Sequence, residues 1–153
     1  MDMADNMSDS GKTKYSGGCA CGEIRFGFYD PLLFKLACHC RACQYTAAGG
    51  PAFVVGVQRD QFRITKGTPK EFATLAESQN MITRSFCGNC GTHLFAHNDD
   101  HEEYVGVKVG SLDDPSEFRP RMHIWLKEAQ PWHKRRWFSR RFGKNPPGQV
   151  KSS

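Results

Sequence analysis

The sequence predicts a mainly β domain made of antiparallel sheets, and two observations indicate this class. Apolar and polar residues alternate over 23–29, where Ile24, Phe26 and Phe28 share one face, as in a half-buried strand. Turn residues such as Asp30-Pro31 recur about every ten positions, which is typical of antiparallel β domains.

Further β-rich stretches follow in chain order. They lie at 32–37, 52–57, 62–65, 92–96, 104–109 and 122–126. The stretches 70–75 and 80–86 flank the polar turn 76–79 and predict a hairpin. One short helix is predicted at 43–48, because the Gly-Gly-Pro at 49–51 stops it. Five phenylalanines are predicted core residues: Phe62, Phe72, Phe86, Phe95 and Phe118.

The chain of 153 residues fits one ordinary domain. Residues 1–14 are polar and without periodicity, so we expect a disordered leader, followed by a domain over 15–132. The remaining 133–153 form a basic tail, which carries seven Lys and Arg residues and no acid. Since the whole chain carries +5, the rest of it is mildly acidic, which argues against a nucleic-acid platform on the domain itself.

The sequence shows neither a secretory signal nor an apolar run long enough to cross a membrane. We therefore expect a cytoplasmic, reducing compartment, where clustered cysteines bind metal more often than they form disulfides. A disulfide scaffold is the alternative, and the odd number of seven cysteines does not favour it.

The seven cysteines fall into three groups whose spacing indicates metal binding. A Cys-X-X-Cys turn at 86–92 contains Cys87 and Cys90, and a Cys-X-Cys turn contains Cys19 and Cys21. Together these four could close a tetrahedral structural zinc site. The segment CHCRAC at 38–43 supplies the other three, Cys38, Cys40 and Cys43.

Two other groupings of the cysteines stay open at this point. The Cys-X-X-Cys pair could instead take two ligands from CHCRAC, which would strand Cys19 and Cys21. The CHCRAC segment could also complete a single structural zinc with His39 and take no part in chemistry. The division into four and three is favoured, because three protein ligands with an open position are the form of a catalytic zinc.

A zinc held by three thiolates predicts thiol chemistry. Its net negative charge weakens it as a Lewis acid towards water. It is better suited to binding a substrate thiol and keeping it deprotonated near neutral pH. Beside an electrophilic carbonyl, such a sulfur would form or break a carbon–sulfur bond.

Several motifs in series resemble the glutathione-dependent formaldehyde-activating enzyme family, also called the CENP-V/GFA domain. They are GGCACGEIRF at 17–26, CHCRAC at 38–43, FCGNCGT at 86–92, VGSLDDP at 109–115 and HIW at 123–125. The resemblance covers roughly residues 15–132 and implies a β-tent fold, in which antiparallel sheets converge on zinc knuckles.

The resemblance also implies a site and an activity. It assigns Cys19, Cys21, Cys87 and Cys90 to a structural zinc, and Cys38, Cys40 and Cys43 to a second, catalytic zinc. It implies a carbon–sulfur lyase that joins formaldehyde and glutathione as S-hydroxymethylglutathione, or acts on another small thiol or glutathione conjugate. Four cations are candidates to bind the glutathione carboxylates: Lys35, Arg41, Arg84 and Arg121.

The histidines and Asp113 have alternative interpretations. His39 could serve as a proton shuttle or ligand, but neighbours in a knuckle alternate in direction, so it is expected to point away from the metal. His123 is predicted to line the pocket or to be a hydrogen-bonded core residue. The group His93, His97 and His101 is expected at the surface, and Asp113 is expected to cap a turn.

A non-enzymatic function is the main rival to the lyase. In it a zinc-stapled module would engage nucleic acid, cytoskeleton or a protein through the basic tail, where Trp137, Phe138 and Phe142 interleave with arginines. The stretch 131–142 could form a short basic helix or remain loose. It could also pack onto the domain through Trp132 and Trp137.

Overall fold

The computed structural model describes residues 14–134 and 139–148. Within them the mainly β class is confirmed by eleven strands and a single short α-helix. The elements are β1 (Tyr15–Gly18), β2 (Arg25–Phe28), β3 (Leu32–Cys38), α1 (Arg41–Thr46), β4 (Ala52–Gln58), β5 (Phe62–Lys66), β6 (Lys70–Leu75), β7 (Met81–Phe86), β8 (His93–Asn98), β9 (His101–Lys108), β10 (Met122–Ile124) and β11 (Arg140–Arg141).

The strands form two sheets. A three-stranded sheet has the order β1-β2-β5, and an eight-stranded sheet has the order β11-β10-β3-β4-β9-β8-β7-β6. The predicted hairpin appears as β6 and β7, paired antiparallel from Lys70 opposite Phe86 to Leu75 opposite Met81. At the other edge β10 runs parallel to both β3 and β11, so the sheet is mixed rather than purely antiparallel. Parallel neighbours cannot be joined by a tight turn, and β3 is connected to β10 through all the strands from β4 to β9.

The strand β4 separates two hydrophobic cores. Because side chains alternate along a strand, Val55 and Val57 face one core while Ala52 and Val54 face the other. The first core lies between the two sheets and contains the aromatic side chains of β2. There the ring of Phe26 lies edge-on to that of Phe95, with centroids 6.4 Å apart.

The second core is smaller and lies beneath α1. It contains the buried residues Leu36, Ala52, Val54 and Ile124, together with two of the CHCRAC cysteines. The helix begins two residues before the predicted position 43 and ends at Thr46. One face of the large sheet is thus covered by a second sheet and the other by a single short helix.

Part of the predicted basic tail lies in the large sheet. The Phe142 N–H donates to the His123 carbonyl at 2.9 Å, and Leu126 N–H donates to the Phe142 carbonyl at 3.1 Å. The described residues 139–142 contain strand β11, where the sequence allowed a helix. Trp132 is 69% exposed and does not anchor this segment, while Arg135, Arg136, Trp137 and Phe138 lie outside the described residues.

Two individual expectations about side chains are wrong. Phe72 is 62% exposed instead of buried, because β6 is an edge strand with no layer over it. Asp113 accepts hydrogen bonds from Arg25, at 2.9 Å, and from the Ser16 hydroxyl, at 2.6 Å. Asp113 therefore links β1 and β2 to the loop between β9 and β10. The guanidinium of Arg25 lowers the pKa of the Asp113 carboxyl. The turn cap is its neighbour Asp114, which accepts from Ser116 N–H at 3.0 Å.

None of the helices in the described part of the chain is both long and apolar enough to cross a membrane.

A close approach in β4 gives a first prediction. A Cβ added to Gly56 would lie 2.3 Å from the ring of Phe34, whereas one added to Gly110 would meet nothing within 4 Å. We expect Gly56→Ala to lower the free energy of unfolding by about 1–3 kcal/mol, as overpacking does. The control Gly110→Ala should stay within about 0.5 kcal/mol, as surface substitutions do. Urea denaturation of the metal-loaded protein measures both.

The double variant Gly56→Ala with Phe34→Leu should recover part of the loss, because the smaller side chain makes room for the methyl group. Equal stability of Gly56→Ala and Gly110→Ala would contradict the packing described for this strand.

Candidate metal centre and adjoining cavity

Four cysteines meet where two turns approach each other. Cys19 and Cys21 follow β1, Cys87 and Cys90 follow β7, and all four Sγ atoms lie within 4.8 Å of one another. The Sγ atoms of Cys19 and Cys21 are 3.5 Å apart, and those of Cys21 and Cys87 are 3.7 Å apart. Zinc–sulfur bonds of 2.3 Å in a tetrahedron separate the sulfurs by about 3.8 Å, so this donor set fits a zinc ion.

The backbone of the two turns donates hydrogen bonds to the cysteine sulfurs. Ile24 N–H donates to the Cys19 sulfur at 3.2 Å, and Cys90 N–H donates to the Cys87 sulfur at 3.5 Å. At Cys87 the bond from the Cys90 N–H lowers the pKa, but burial and the sulfurs of Cys90 and Cys19 outweigh it and raise the pKa to about 11. Hydrogen bonds from the Thr92 side chain and backbone lower the pKa of Cys90 to about 5. Gly91, with φ +76°, turns the chain after Cys90 in a conformation that favours glycine.

The other three cysteines form a separate group at the start of α1. The Sγ atoms of Cys38, Cys40 and Cys43 lie within 4.8 Å of one another. Cys38 ends β3, and Cys40 is the N-cap of the helix, where its sulfur accepts the Cys43 N–H at 3.3 Å. The structure thus brings the cysteines together as four and three, the division that the sequence favours.

Two cations lie near the group of three. Hydrogen bonds from Cys38 and Cys40 lower the pKa of the Cys43 thiol, and the charges of Lys108 and Arg84 lower it further against the opposing effect of burial. Hydrogen bonds with Cys40 and Cys43, together with burial, raise the pKa of the Cys38 thiol, so the negative charge is favoured on one sulfur of the group at the expense of its neighbours. Three soft donors held this close suit zinc and leave a fourth tetrahedral position to another ligand.

A cavity of about 350 Å³ adjoins the three cysteines. Its wall comes from the β6–β7 hairpin, the start of α1 and the segment after β10. The lining residues include Cys38, Cys40, Cys43, Thr74, Leu75, Glu77, Ile82, Arg84, Ile124, Trp125, Glu128 and Asn145. The Trp125 indole N–H donates to the Asn145 side chain at 2.8 Å, so the tail completes this wall.

Of the four cations that the sequence offers as carboxylate-binding residues, Arg84 lines this cavity. Arg84 is 9% exposed and donates to the Thr74 hydroxyl at 2.7 Å. Among the described residues it forms no ion pair. Lys35 lines a different cavity, Arg121 donates its backbone N–H to the Lys35 carbonyl, and the Arg41 guanidinium lies over the Tyr45 ring.

Three buried histidines form a hydrogen-bonded chain behind the cysteines. His39 Nε2 lies 2.9 Å from His123 Nδ1, and His39 Nδ1 lies 2.8 Å from His133 Nδ1. The remaining nitrogen of His133, Nε2, lies 2.8 Å from the Gly49 carbonyl. His39 therefore points away from the sulfurs, as expected, and His123 is the hydrogen-bonded core residue that the sequence allowed.

The donor in each of these bonds follows from the two ends of the chain. The Gly49 carbonyl can only accept, so His133 carries its proton on Nε2, and its Nδ1 accepts from Gln130 N–H at 3.3 Å. His39 must then donate from Nδ1, and its Nε2 accepts from His123 Nδ1–H. Both ring nitrogens of His39 and of His133 therefore have hydrogen-bond partners, as buried polar groups usually do.

Sequence reasoning missed three residues of this site, His133, Gln44 and Glu128. The buried amide of Gln44 donates to the His39 carbonyl at 2.8 Å and to the Glu128 carbonyl at 2.9 Å. The Glu128 carboxylate accepts the Arg41 N–H at 2.6 Å. Gln44 and His39 are near each other in the sequence. The other hydrogen-bonded pairs of this site lie 84 to 94 positions apart in the sequence, so no short motif could have indicated them.

The histidines His93, His97 and His101 do not form a metal site within the described residues. His93, on β8, is half-buried and lines a neighbouring cavity, and its pKa is lowered by burial and by the charges of Lys108 and Arg84. His101 pairs with Glu103 at 3.2 Å on the exposed end of β9.

Comparison with known proteins identifies a family with the same motifs. The profile of the family described as glutathione-dependent formaldehyde-activating enzyme matches residues 14–128. A Talaromyces marneffei protein that carries this family's name is 28% identical over 109 residues, and a Podospora anserina protein with the same name is 24% identical over 136 residues. These matches cover 67% and 85% of this chain, and the chain spans 57% of the length of each relative.

A solved structure shares the fold. It is a crystal structure of a Rhodobacter sphaeroides protein, with a TM-score of 0.53 and 19% identity. The similarity covers 69% of this chain and 92% of that one.

The histidine chain gives a second prediction. We expect His133→Ala to lower the free energy of unfolding by about 1–3 kcal/mol, because it leaves a buried donor on His39 and the Gly49 carbonyl without partners. The neighbouring variant Lys134→Ala is the matched control, since Lys134 is exposed, and it should change stability by less than about 0.5 kcal/mol. Denaturant titrations of both variants measure the difference. Equal stabilities would show that the histidine chain contributes nothing to the fold.

Proposed function

Because this chain belongs to the glutathione-dependent formaldehyde-activating enzyme family, we propose that it is a zinc-dependent carbon–sulfur lyase. The reaction adds a small aldehyde to a thiol, or removes it, and glutathione is the thiol. The observation that carries the proposal is the group of Cys38, Cys40 and Cys43 at the wall of a cavity that also contains a buried arginine.

Two zinc ions have different roles in this proposal. Cys19, Cys21, Cys87 and Cys90 would hold the first and so join the turn after β1 to the turn after β7. Cys38, Cys40 and Cys43 would hold the second. When bound there, zinc supplies an open coordination position that favours the thiolate form of a substrate.

The side chains around the cavity bind and orient the thiol. The Arg84 guanidinium can form a two-pronged hydrogen bond to a carboxylate, of which glutathione has two. Glu128 lines the same cavity, and its carboxylate oxygen that does not accept the Arg41 N–H offers a partner to an ammonium group. Glu77 is already paired with Lys127 and Lys144. The apolar side chains of Ile82 and Trp125 limit the access of water to the sulfurs.

The reaction balances without an oxidant or reductant. A thiol RSH and formaldehyde CH₂O give RS–CH₂OH, in which one carbon–sulfur bond forms and the carbonyl π bond is lost. The proton released by the thiol ends on the former carbonyl oxygen. The positive charges of Arg84 and Lys108, which lower the pKa of the Cys43 thiol, would also favour an anionic substrate sulfur beside it.

Zinc content and turnover test the proposal together. The wild-type protein should contain two zinc ions per chain and accelerate the exchange of formaldehyde with S-hydroxymethylglutathione. Cys40→Ser should lose about one zinc ion and the exchange activity while keeping its β-sheet circular dichroism, because Cys40 lies outside the four-cysteine group. Cys90→Ser should instead lower the melting temperature, because it opens the site that joins the two turns.

Elemental analysis and NMR exchange spectroscopy provide the two readouts. One zinc ion per chain, still fully bound after Cys38, Cys40 and Cys43 are all changed to Ser, would contradict the catalytic zinc. If the protein contains two zinc ions per chain but does not accelerate the exchange, the two metal sites stand and formaldehyde exchange is rejected as the function.

Arg84 provides a separate prediction about glutathione. Arg84→Gln should raise the KM for glutathione about 30-fold or more, since losing one charged partner of a buried, hydrogen-bonded pair costs at least about 2 kcal/mol. The KM of Arg84→Lys should lie between those of Arg84→Gln and the wild type, because lysine keeps the charge and loses the two-pronged geometry. Arg41→Gln is the matched control and should leave KM unchanged. Identical KM values for Arg84→Gln and Arg41→Gln would exclude Arg84 from glutathione binding.

A further inference from the structure

A second and larger cavity lies beside the one at the cysteines. Its volume is about 680 Å³, within the range of pockets that hold small molecules. It runs between α1 and the β6–β7 hairpin, and its lining includes Tyr45, Phe72 and Phe86. The proposed reaction with formaldehyde does not use it.

The strand register explains why aromatic side chains line this cleft. Phe72 of β6 lies opposite Arg84 of β7 in the hairpin, and both line the cleft. Side chains two positions apart share a face, so Thr74 and Phe86 join them there, and both also line the cleft. The sheet therefore presents an apolar surface with one cation towards α1.

Two aromatic rings of the cleft are exposed. Tyr45 is 80% exposed and Phe72 is 62% exposed. Single exposed apolar residues are ordinary, but these two line one concave surface together with the half-buried Phe86. A flat apolar group inserted between them would remove this surface from water.

The cleft continues into the cavity at the cysteines. Ala42, Thr74 and Arg84 line both, so a molecule with its sulfur at Cys40 can extend past the Arg84 guanidinium into the cleft. The charged side chains of the two cavities limit which ionised groups that molecule can contain. Arg84 favours a carboxylate at the junction, while Glu71 lines the cleft and disfavours a second anionic group there.

We propose that the cleft binds the carbon skeleton of an aldehyde larger than formaldehyde, aromatic or branched aliphatic and uncharged. This inference rests on the proposed function and specifies its second substrate. The thiol adds to the aldehyde as RSH + R′CHO → RS–CH(OH)R′, in which a carbon–sulfur bond forms and the thiol proton ends on the new hydroxyl. Arg84 holds the carboxylate of the thiol, and Phe72 and Phe86 contact R′.

Binding of stable S-substituted thiols tests the cleft without any turnover. The probes are S-benzylglutathione and S-methylglutathione, added to the zinc-loaded full chain and measured by titration calorimetry. We expect the benzyl compound to bind about tenfold more tightly, the lower end of what burial of an aromatic ring supplies. Phe72→Ala should reduce this preference to less than about threefold and leave the binding of S-methylglutathione unchanged, because only the benzyl ring reaches Phe72.

Ile64→Ala is the control, since Ile64 is a 44% exposed apolar residue on the three-stranded sheet, and it should keep the tenfold preference. Equal binding of the two probes, or no binding of either, overturns the inference. A preference that Phe72→Ala leaves intact overturns it as well. Sedimentation at micromolar concentration provides a further readout: a wild-type dimer that Phe72→Ala dissociates would mean that a second copy of the chain occupies the cleft, and would overturn it too.

These results are independent of the formaldehyde assay. Tighter binding of the benzyl compound without formaldehyde exchange would support the binding role of the cleft and reject the small-aldehyde function. Formaldehyde exchange with equal binding of the two probes would support the small-aldehyde function and reject the binding role of the cleft. When both hold, benzaldehyde in place of formaldehyde should give a glutathione adduct whose formation slows in Phe72→Ala more than in Ile64→Ala.

Discussion

The fold depends on a central strand that is buried on both faces. Alternating side chains of β4 place Val55 and Val57 in one core and Ala52 and Val54 in another. Neither core is large in a chain of this length, and each contains one of the two cysteine groups. Cys19 and Cys87 lie in the core between the sheets, whereas Cys38 and Cys43 lie in the core beneath α1. The two cores that this strand separates therefore each include cysteines of one sulfur group.

The two faces are covered very unequally, which has consequences for the proposed active site. A helix as short as α1 is unstable alone, because isolated helices need about 12–15 residues even to be marginal. Its position depends on contacts outside itself, namely the Cys40 cap, the Gln44 amide and the Glu128 carboxylate. The hydrogen-bonded chain of imidazoles from His123 to His133 then fixes the turn at Gly49, shortly after the helix. Polar contacts thus add to the burial of Cys43 in holding this short helix in place.

The parts of the structure that could be predicted from the sequence are those with a local pattern. Strand alternation, the β6–β7 hairpin and the grouping of the cysteines follow from spacings of two to four residues. The β-rich stretch 122–126 contains β10, but its parallel pairing with β3 and β11 could not be predicted, since that pairing joins Met122 to Leu36 and to Arg140. Arg84 was one of four equal candidates until the register of β7 placed it beside the sulfurs. Phe72 was expected in the core because an apolar residue at an edge strand has the same alternation as one in a central strand.

The wall of the cysteine cavity comes from two parts of the chain with different relations to the family. The sulfurs and Arg84 lie within residues 14–128, which the family profile matches, whereas Asn145 lies after them. Asn145 accepts the Trp125 indole N–H, and Trp125 has a left-handed backbone, φ +58°, that a bulky residue adopts only when its surroundings enforce it. The surroundings here are the backbone bonds from the segment 142–144 to residues 125–127. Asn145 and its contacts therefore add a part of the cavity wall that the family profile does not cover, so a change in the tail can alter the shape of the cavity while all seven cysteines stay in place.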